Sequence, residues 1–286
     1  MSLDLGYSFY VVAKLNQWEA SVAWNSDGTR VGCEAFNLGE NSETALLLIH
    51  GINESPHAFF KVAPHLAREG FFCRVMRIEG FGETISACSV AKISDWLASV
   101  DKEVKQLRKH HRRVVIVAHS LGGAIAINYT LRYPERVDGL VLAAPAVEVS
   151  SSRSPLFPVR FWHAGVSRAL LFTEIVQSPF GLDALDPSER ESERRTPFTS
   201  FKTIDQVFEL TLQNRGRAPE IKAPVFLCLA KCDRVIDNAA AISFFQGLSN
   251  KKNRLEVLQK SAHAILVDYQ WKDFSQQTVQ FVSGLW

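Results

Sequence analysis

The sequence predicts an α/β protein, a mostly parallel central sheet with helices on both faces. Three observations carry that expectation. Apolar runs of strand length recur along the chain, a long amphipathic helix lies between two of them, and residues 113–126 pass from a β-branched run straight into a glycine-rich helical start. Apolar runs without polar alternation belong to strands buried on both faces, as crossover helices bury the strands of a parallel sheet.

Taken in order, the first run is Ala45–Ile49, which ends in His50 and Gly51. The second, Phe72–Ile78, leads into the turn Glu79, Gly80, Phe81, Gly82, Glu83, Thr84. Next, Ile93, Trp96, Leu97, Val100, Val104 and Leu107 recur at helical steps and form one apolar face. This helix runs out into the basic stretch Lys105 to Arg113, where cations meet unpaired carbonyls and the negative end of the helix dipole. That placement accounts for the charges without a nucleic acid or an anionic membrane. Further strands are expected at Arg113–Ala118, Gly139–Ala144, Val225–Ala230 and Arg254–Gln259.

The strand–helix rhythm stops after Pro145. Residues 147–219 are rich in Ser, Pro and Arg, with aromatic clusters and no clear buried strand. They read as a cap of helices and loops inserted into one core domain made of residues 1–146 and 220–286. The aromatic and aliphatic residues of the cap, Phe157, Trp162 and Phe172 among them, are candidates to line an apolar pocket, although packing the cap on the sheet explains many such residues equally well.

Composition removes several classes of function. Lys and Arg number 32 against 30 Asp and Glu, so the net charge is +2 in 286 residues, which suits neither a strongly cationic nucleic-acid binder nor a solvating polyanion. No apolar run reaches the roughly 20 residues of a membrane-spanning helix. Five cysteines, scattered and without a C-x-x-C pair, describe neither a disulfide scaffold nor a metal site, and Cys228 inside its apolar run reads as a small hydrophobe. No metal or organic cofactor is implied. The first residues lack the basic start and long apolar core of a secretory signal, so the expected location is cytoplasmic.

The segment richest in chemistry is Val114 to Ala126. A β-branched strand enters the turn Ala118, His119, Ser120, Leu121, Gly122, and a helix of small residues follows. This is the context of a nucleophile elbow, in which a tight turn lifts the serine hydroxyl clear of the sheet. The N–H groups at the start of the following helix face any oxyanion formed there, Leu121 first among them. The turn after His50 and Gly51 is placed to add the Ile52 N–H. Downstream, a strand ends before Asp233, and His263 follows the last strand, which gives the chain order Ser, acid, His. Asp233 and Asp237 both follow that strand; Asp237, just before a helix start, fits a helix cap.

On these residues the sequence resembles the α/β-hydrolase superfamily over nearly its whole length, from about residue 20 onward. Glu79 to Thr84 looks like the superfamily's glycine-rich turn, and Tyr133 to Val137 before Gly139 is another similar stretch. Among subgroups, His50 with Gly51 and the helix containing Asp95 and Trp96 look most similar to monoacylglycerol lipases and short-cap carboxylesterases. The resemblance implies a triad of Ser120, Asp233 and His263, with Ser120 attacking an acyl carbonyl. It implies a small-molecule ester or lipid substrate, with short- to medium-chain esters or monoacylglycerols expected. Thioesters and lactones are alternatives served by the same triad, and a non-catalytic binding module is the alternative of another class. His50 and His119 are expected to support loops; His57, His65, His110, His111 and His163 read as surface or packing residues.

Overall fold

The computed structural model describes residues 3–151, 165, 171–178, 181–190 and 195–286. In chain order the described elements begin with α1 (Leu3–Ser21), β1 (Phe36–Leu38), β2 (Thr44–Ile49), α2 (Val62–Arg68) and β3 (Phe72–Met76). There follow α3 (Ile85–Val90), α4 (Ile93–Leu107), β4 (Arg113–His119), α5 (Leu121–Arg132) and β5 (Gly139–Ala143). After β6 (Ile175–Gln177), β7 (Phe198–Ser200) and α6 (Phe201–Asn214), the chain returns to the sheet as β8 (Val225–Ala230), α7 (Asn238–Gln246), β9 (Arg254–Leu258) and α8 (Trp271–Ser283). The six runs expected as strands are β2, β3, β4, β5, β8 and β9 of the sheet, each within a residue or two of its expected limits.

The sheet has seven strands in the order β1-β3-β2-β4-β5-β8-β9. All neighbours are parallel except β1, which runs antiparallel to β3 at the edge. Within each central strand, alternate residues serve opposite faces, as the period of two requires. Leu47, Ile49, Ile116, Leu140 and Leu227 face one buried cluster with Trp96, Val100 and Val104 of α4 and Ile125 and Tyr129 of α5. Leu46, Leu48, Val115, Val117, Val141 and Phe226 face another, with Leu66 of α2 and Phe274 and Phe281 of α8. The amphipathic reading of residues 93–107 matches α4, whose six apolar positions are all buried.

The order places β3 on one side of β2 and β4 on the other, so the chain reverses direction across the sheet between β2 and β4. Ligand crevices of open α/β sheets form at the carboxyl ends of strands at such a switch. Here those two ends carry Gly51 and Ser120.

α1 and β1 are among the elements absent from the sequence-based expectation. α1 has apolar residues spread round its circumference and buries Val11 and Leu15 beside Ile85 and Phe198. β1 is three residues long. Within the expected insertion, β6 and β7 pair antiparallel, and α6 packs on the main core through Val207 and Leu210. Its Asn214 amide donates to Ala124 O on α5 at 2.8 Å. The five cysteines are free.

Candidate active site

Ser120 occupies the turn between β4 and α5 with φ 51° and ψ −118°. A non-glycine residue there carries strain on the order of 1–3 kcal/mol, which the surroundings must hold in place. They do so through the main chain: Ser120 N–H donates to Ala143 O at 3.1 Å, and Ser120 O accepts from Ala124 at 3.3 Å and Ala146 at 2.9 Å. Small residues are obligatory around this turn. A Cβ at Gly122 would fall within 2.5 Å of His50 O, one at Gly123 within 2.6 Å of Pro145 Cβ, and one at Gly51 within 3.0 Å of Ser120 Cβ. The glycines therefore let α5, the end of β2 and the loop after β5 converge on one serine.

His263, in the loop after β9, meets that serine. Its Nε2 lies 2.9 Å from Ser120 Oγ and its Nδ1 2.9 Å from Asp233 Oδ2. Since a carboxylate only accepts, Nδ1 carries the proton, and Nε2 presents its lone pair to the Ser120 hydroxyl. Asp233 is fully enclosed, and its other oxygen accepts the N–H groups of Val235 at 2.7 Å and Ile236 at 2.9 Å. Burial by itself would raise this carboxyl; His263 and the two amides overcome it and hold Asp233 below the usual carboxylate range. Asp237 is turned away and caps α7, accepting from Ala239 at 2.8 Å and Ala240 at 3.1 Å. Of the two aspartates left open by sequence, Asp233 is the one in contact with His263.

A second imidazole lies beside the first. The rings of His119 and His263 are 4.9 Å apart between centroids. His119 Nδ1 donates to Glu54 Oε2 at 3.0 Å, and its Nε2 to the main-chain carbonyl of His263 at 3.0 Å. Both partners are acceptors, so the ring is doubly protonated. Burial opposes that charge, yet the Glu54 carboxylate outweighs it and raises His119 above the ordinary histidine value. Glu54 itself is held at about 2: burial pushes up, and His119 and the Gly51 N–H pull down further. Glu54 Oε2 takes the Gly51 N–H at 2.7 Å. The next main-chain donor of the turn is that of Ile52, while Leu121, as the first residue of α5, has no acceptor for its N–H within the helix. His50 is neutral, driven down to about 4 by burial, and its Nε2 accepts the Ile78 N–H at 3.1 Å. It ties the end of β2 to the segment after β3.

With this geometry in view, comparison with known proteins identifies the family. Residues 40–270 match the Hydrolase_4 family, serine aminopeptidase, S33. The chain belongs to this family. The α/β-hydrolase is also similar to a thermostable monoacylglycerol lipase of Bacillus sp. (strain H-257), 24% identical over 251 residues, covering 87% of this chain and 94% of that one. A carboxylesterase of Bacillus subtilis (strain 168) is 20% identical over 86% of this chain and 95% of its own length. Among solved structures, the monoacylglycerol lipase of Paleococcus ferrophilus superposes with a TM-score of 0.74 at 20% identity, over 88% of this hydrolase and 98% of the other chain.

The remaining sequence candidates divide by location. Phe157 and Trp162 lie outside the described residues. Phe172 is exposed and bound to α1, its N–H donating to Asp4 Oδ2 at 3.0 Å and its carbonyl accepting from Ser8 Oγ at 2.7 Å. A narrow cavity beside the two imidazoles is lined by Glu54, Ser55, Phe60, His119, Ala264 and Leu266. Glu54 is the residue that sequence reasoning missed in the hydrolase, and its trace is faint: an acid three positions after Gly51. Among the described residues no cluster of His, Cys, Asp and Glu has the arrangement of a metal site, and no helix is long and apolar enough to cross a membrane.

Proposed function

We propose that this α/β-hydrolase is a serine esterase that cleaves short- to medium-chain acyl esters, monoacylglycerol-like lipids included, through an acyl-enzyme on Ser120. The observation that carries the reading is the continuous relay from Asp233 through His263 to Ser120, with 2.9 Å at both steps. Names of the lipase and carboxylesterase relatives support the ester class.

In this mechanism His263 Nε2 removes the Ser120 proton as Oγ attacks the acyl carbonyl. Asp233 keeps the proton on Nδ1 and stabilises the imidazolium. The N–H groups of Ile52 and Leu121 hold the oxyanion, already oriented before charge develops. His263 then protonates the leaving alcohol, the acyl group stays on Ser120, and a water activated by the same imidazole releases it. Residues 147–219 act as the cap of this hydrolase.

The test is a panel of p-nitrophenyl esters with acyl chains of two to twelve carbons, run beside monoacylglycerol, an acyl thioester and a lactone. Turnover that peaks at intermediate chain length and falls by roughly 10⁴-fold or more in S120A is expected. Activity confined to the two-carbon ester sinks the lipid-like version, and faster turnover of the thioester or lactone reassigns the substrate. Undiminished hydrolysis by S120A overturns the mechanism.

A further inference from the structure

The residues that meet at Ser120 come from loops beyond the ends of β8 and β9, where no sheet ladder fixes them. Asp233 follows β8 and His263 follows β9. The two loops are joined directly by Cys232 N–H donating to Ser261 O at 3.2 Å, and a stretch from the expected insertion, Leu182 to Asp186, touches both. Asp183 Oδ2 accepts the N–H of Arg234 at 3.0 Å and that of His263 at 3.4 Å, and the Asp183 carbonyl accepts from Ala264 at 2.9 Å. One carboxylate oxygen therefore spans the residue after the acid and the histidine itself.

The opposite exchange occurs a few ångströms away. Asp268, in the His263 loop, is fully buried and takes four main-chain N–H groups. Its Oδ2 accepts from Ala262 at 2.7 Å and Leu185 at 2.9 Å, and its Oδ1 from Asp186 at 2.9 Å and Tyr269 at 2.9 Å. Charge-assisted bonds of this kind are roughly twice as strong as neutral ones, and a carboxylate with all its capacity used leaves no alternative arrangement. Lys61 adds a nearby tie, donating to Glu189 Oε1 at 2.7 Å and Val267 O at 2.9 Å.

We propose that Asp183 and Asp268 are positioning residues, forming a reciprocal latch between residues 182–186 and 261–268 that fixes the direction and spacing of His263 relative to Asp233. The proposal rests on the triad reading above. Its consequence is that the inserted segment helps to aim the catalytic base as well as to cover the site. Misplacement of a reacting group by about an ångström costs up to ~100-fold in rate, so a latch need move the imidazole only slightly to matter.

The two acids differ in what an amide can replace, and the experiment uses that difference. At position 183 one oxygen accepts both main-chain N–H groups of the latch, and D183N keeps an oxygen able to accept them. At position 268 both oxygens accept, so D268N turns an NH₂ against two N–H donors. With p-nitrophenyl butyrate as substrate, D183A and D268N are expected to lose about tenfold or more in kcat with KM within about twofold, and D183N to stay near wild type. Hydrogen exchange should quicken over residues 261–268 in D183A. Half-exposed Asp183 gives a variant that folds even where D268N does not. Unchanged kcat in D183A, an equal loss in D183N, or unaltered exchange over 261–268 overturns the latch. Failure of the triad reading shows separately, as persistent turnover in S120A.

Discussion

His119 and His263 stand side by side under the same loops, with rings 4.9 Å apart, and their surroundings give them opposite chemistry. His119 has acceptors on both nitrogens, the Glu54 carboxylate and the His263 carbonyl, so both nitrogens keep their protons. His263 has one acceptor, Asp233, and one group that is able to donate, the Ser120 hydroxyl. Only the second arrangement leaves a lone pair free to take a proton. The contrast teaches that a histidine's role in a crowded site follows from the character of the partner on its second nitrogen more than from burial, which is nearly complete for both.

The largest effect expected from breaking this contrast is on the His263 side. D233N should lower kcat by roughly 10⁴-fold with little change in melting temperature, because the amide favours the wrong tautomer; steady-state kinetics beside thermal melts check it. H119A should give the reverse phenotype. It leaves Glu54 charged and buried without its cation, at a cost of about 3–5 kcal/mol in urea unfolding, while the Ser120–His263 contact survives. If H119A instead abolished turnover without loss of stability, His119 would have to be counted among the proton-transfer groups. D237A should cost about 1 kcal/mol through the lost cap of α7 and leave kcat within a few-fold of wild type.

A further effect is on the pH dependence of stability. Glu54 is held at about 2 against an ordinary value of 4.5, so its contribution is full above pH 4.5 and is lost as the pH falls toward 2. His119 is raised, so its contribution is full below 6.5 and is lost as the pH rises through the elevated value. Unfolding midpoints measured from pH 2 to 5 should fall less steeply for E54Q than for wild type, and parallel slopes would contradict the buried ion pair.

The sheet was largely legible in the sequence because strands buried on both faces leave unbroken apolar runs, and α4 because its six buried positions keep helical spacing. α1 and β1 escaped, the first for want of a single apolar face and the second for its length. In the site, Ser120 and His263 declare themselves by position after their strands, and the choice between Asp233 and Asp237 follows the same geometry. Glu54, Asp183 and Asp268 do not. Most of their partners are main-chain N–H groups, which every residue but proline possesses, and those of Asp183 and Asp268 in part come from segments some 50 to 80 positions away. Such pairings leave no pattern in side-chain identity.

The sheet order also has a meaning in time. Ser120 and His263 touch across 143 residues of chain, and β8, β9 and the loop beyond must all be added before they meet. During synthesis the elbow, β2 and the glycines that crowd it are made before β8, β9 and the loop beyond. The serine therefore spends that interval without its partner, an alcohol no more reactive than any other on the surface. Contacts of such long range are also the slowest to form. The segment from β8 to the loop beyond β9 would work as an arming step, since a chain interrupted before it carries Ser120 without the histidine proposed to activate it.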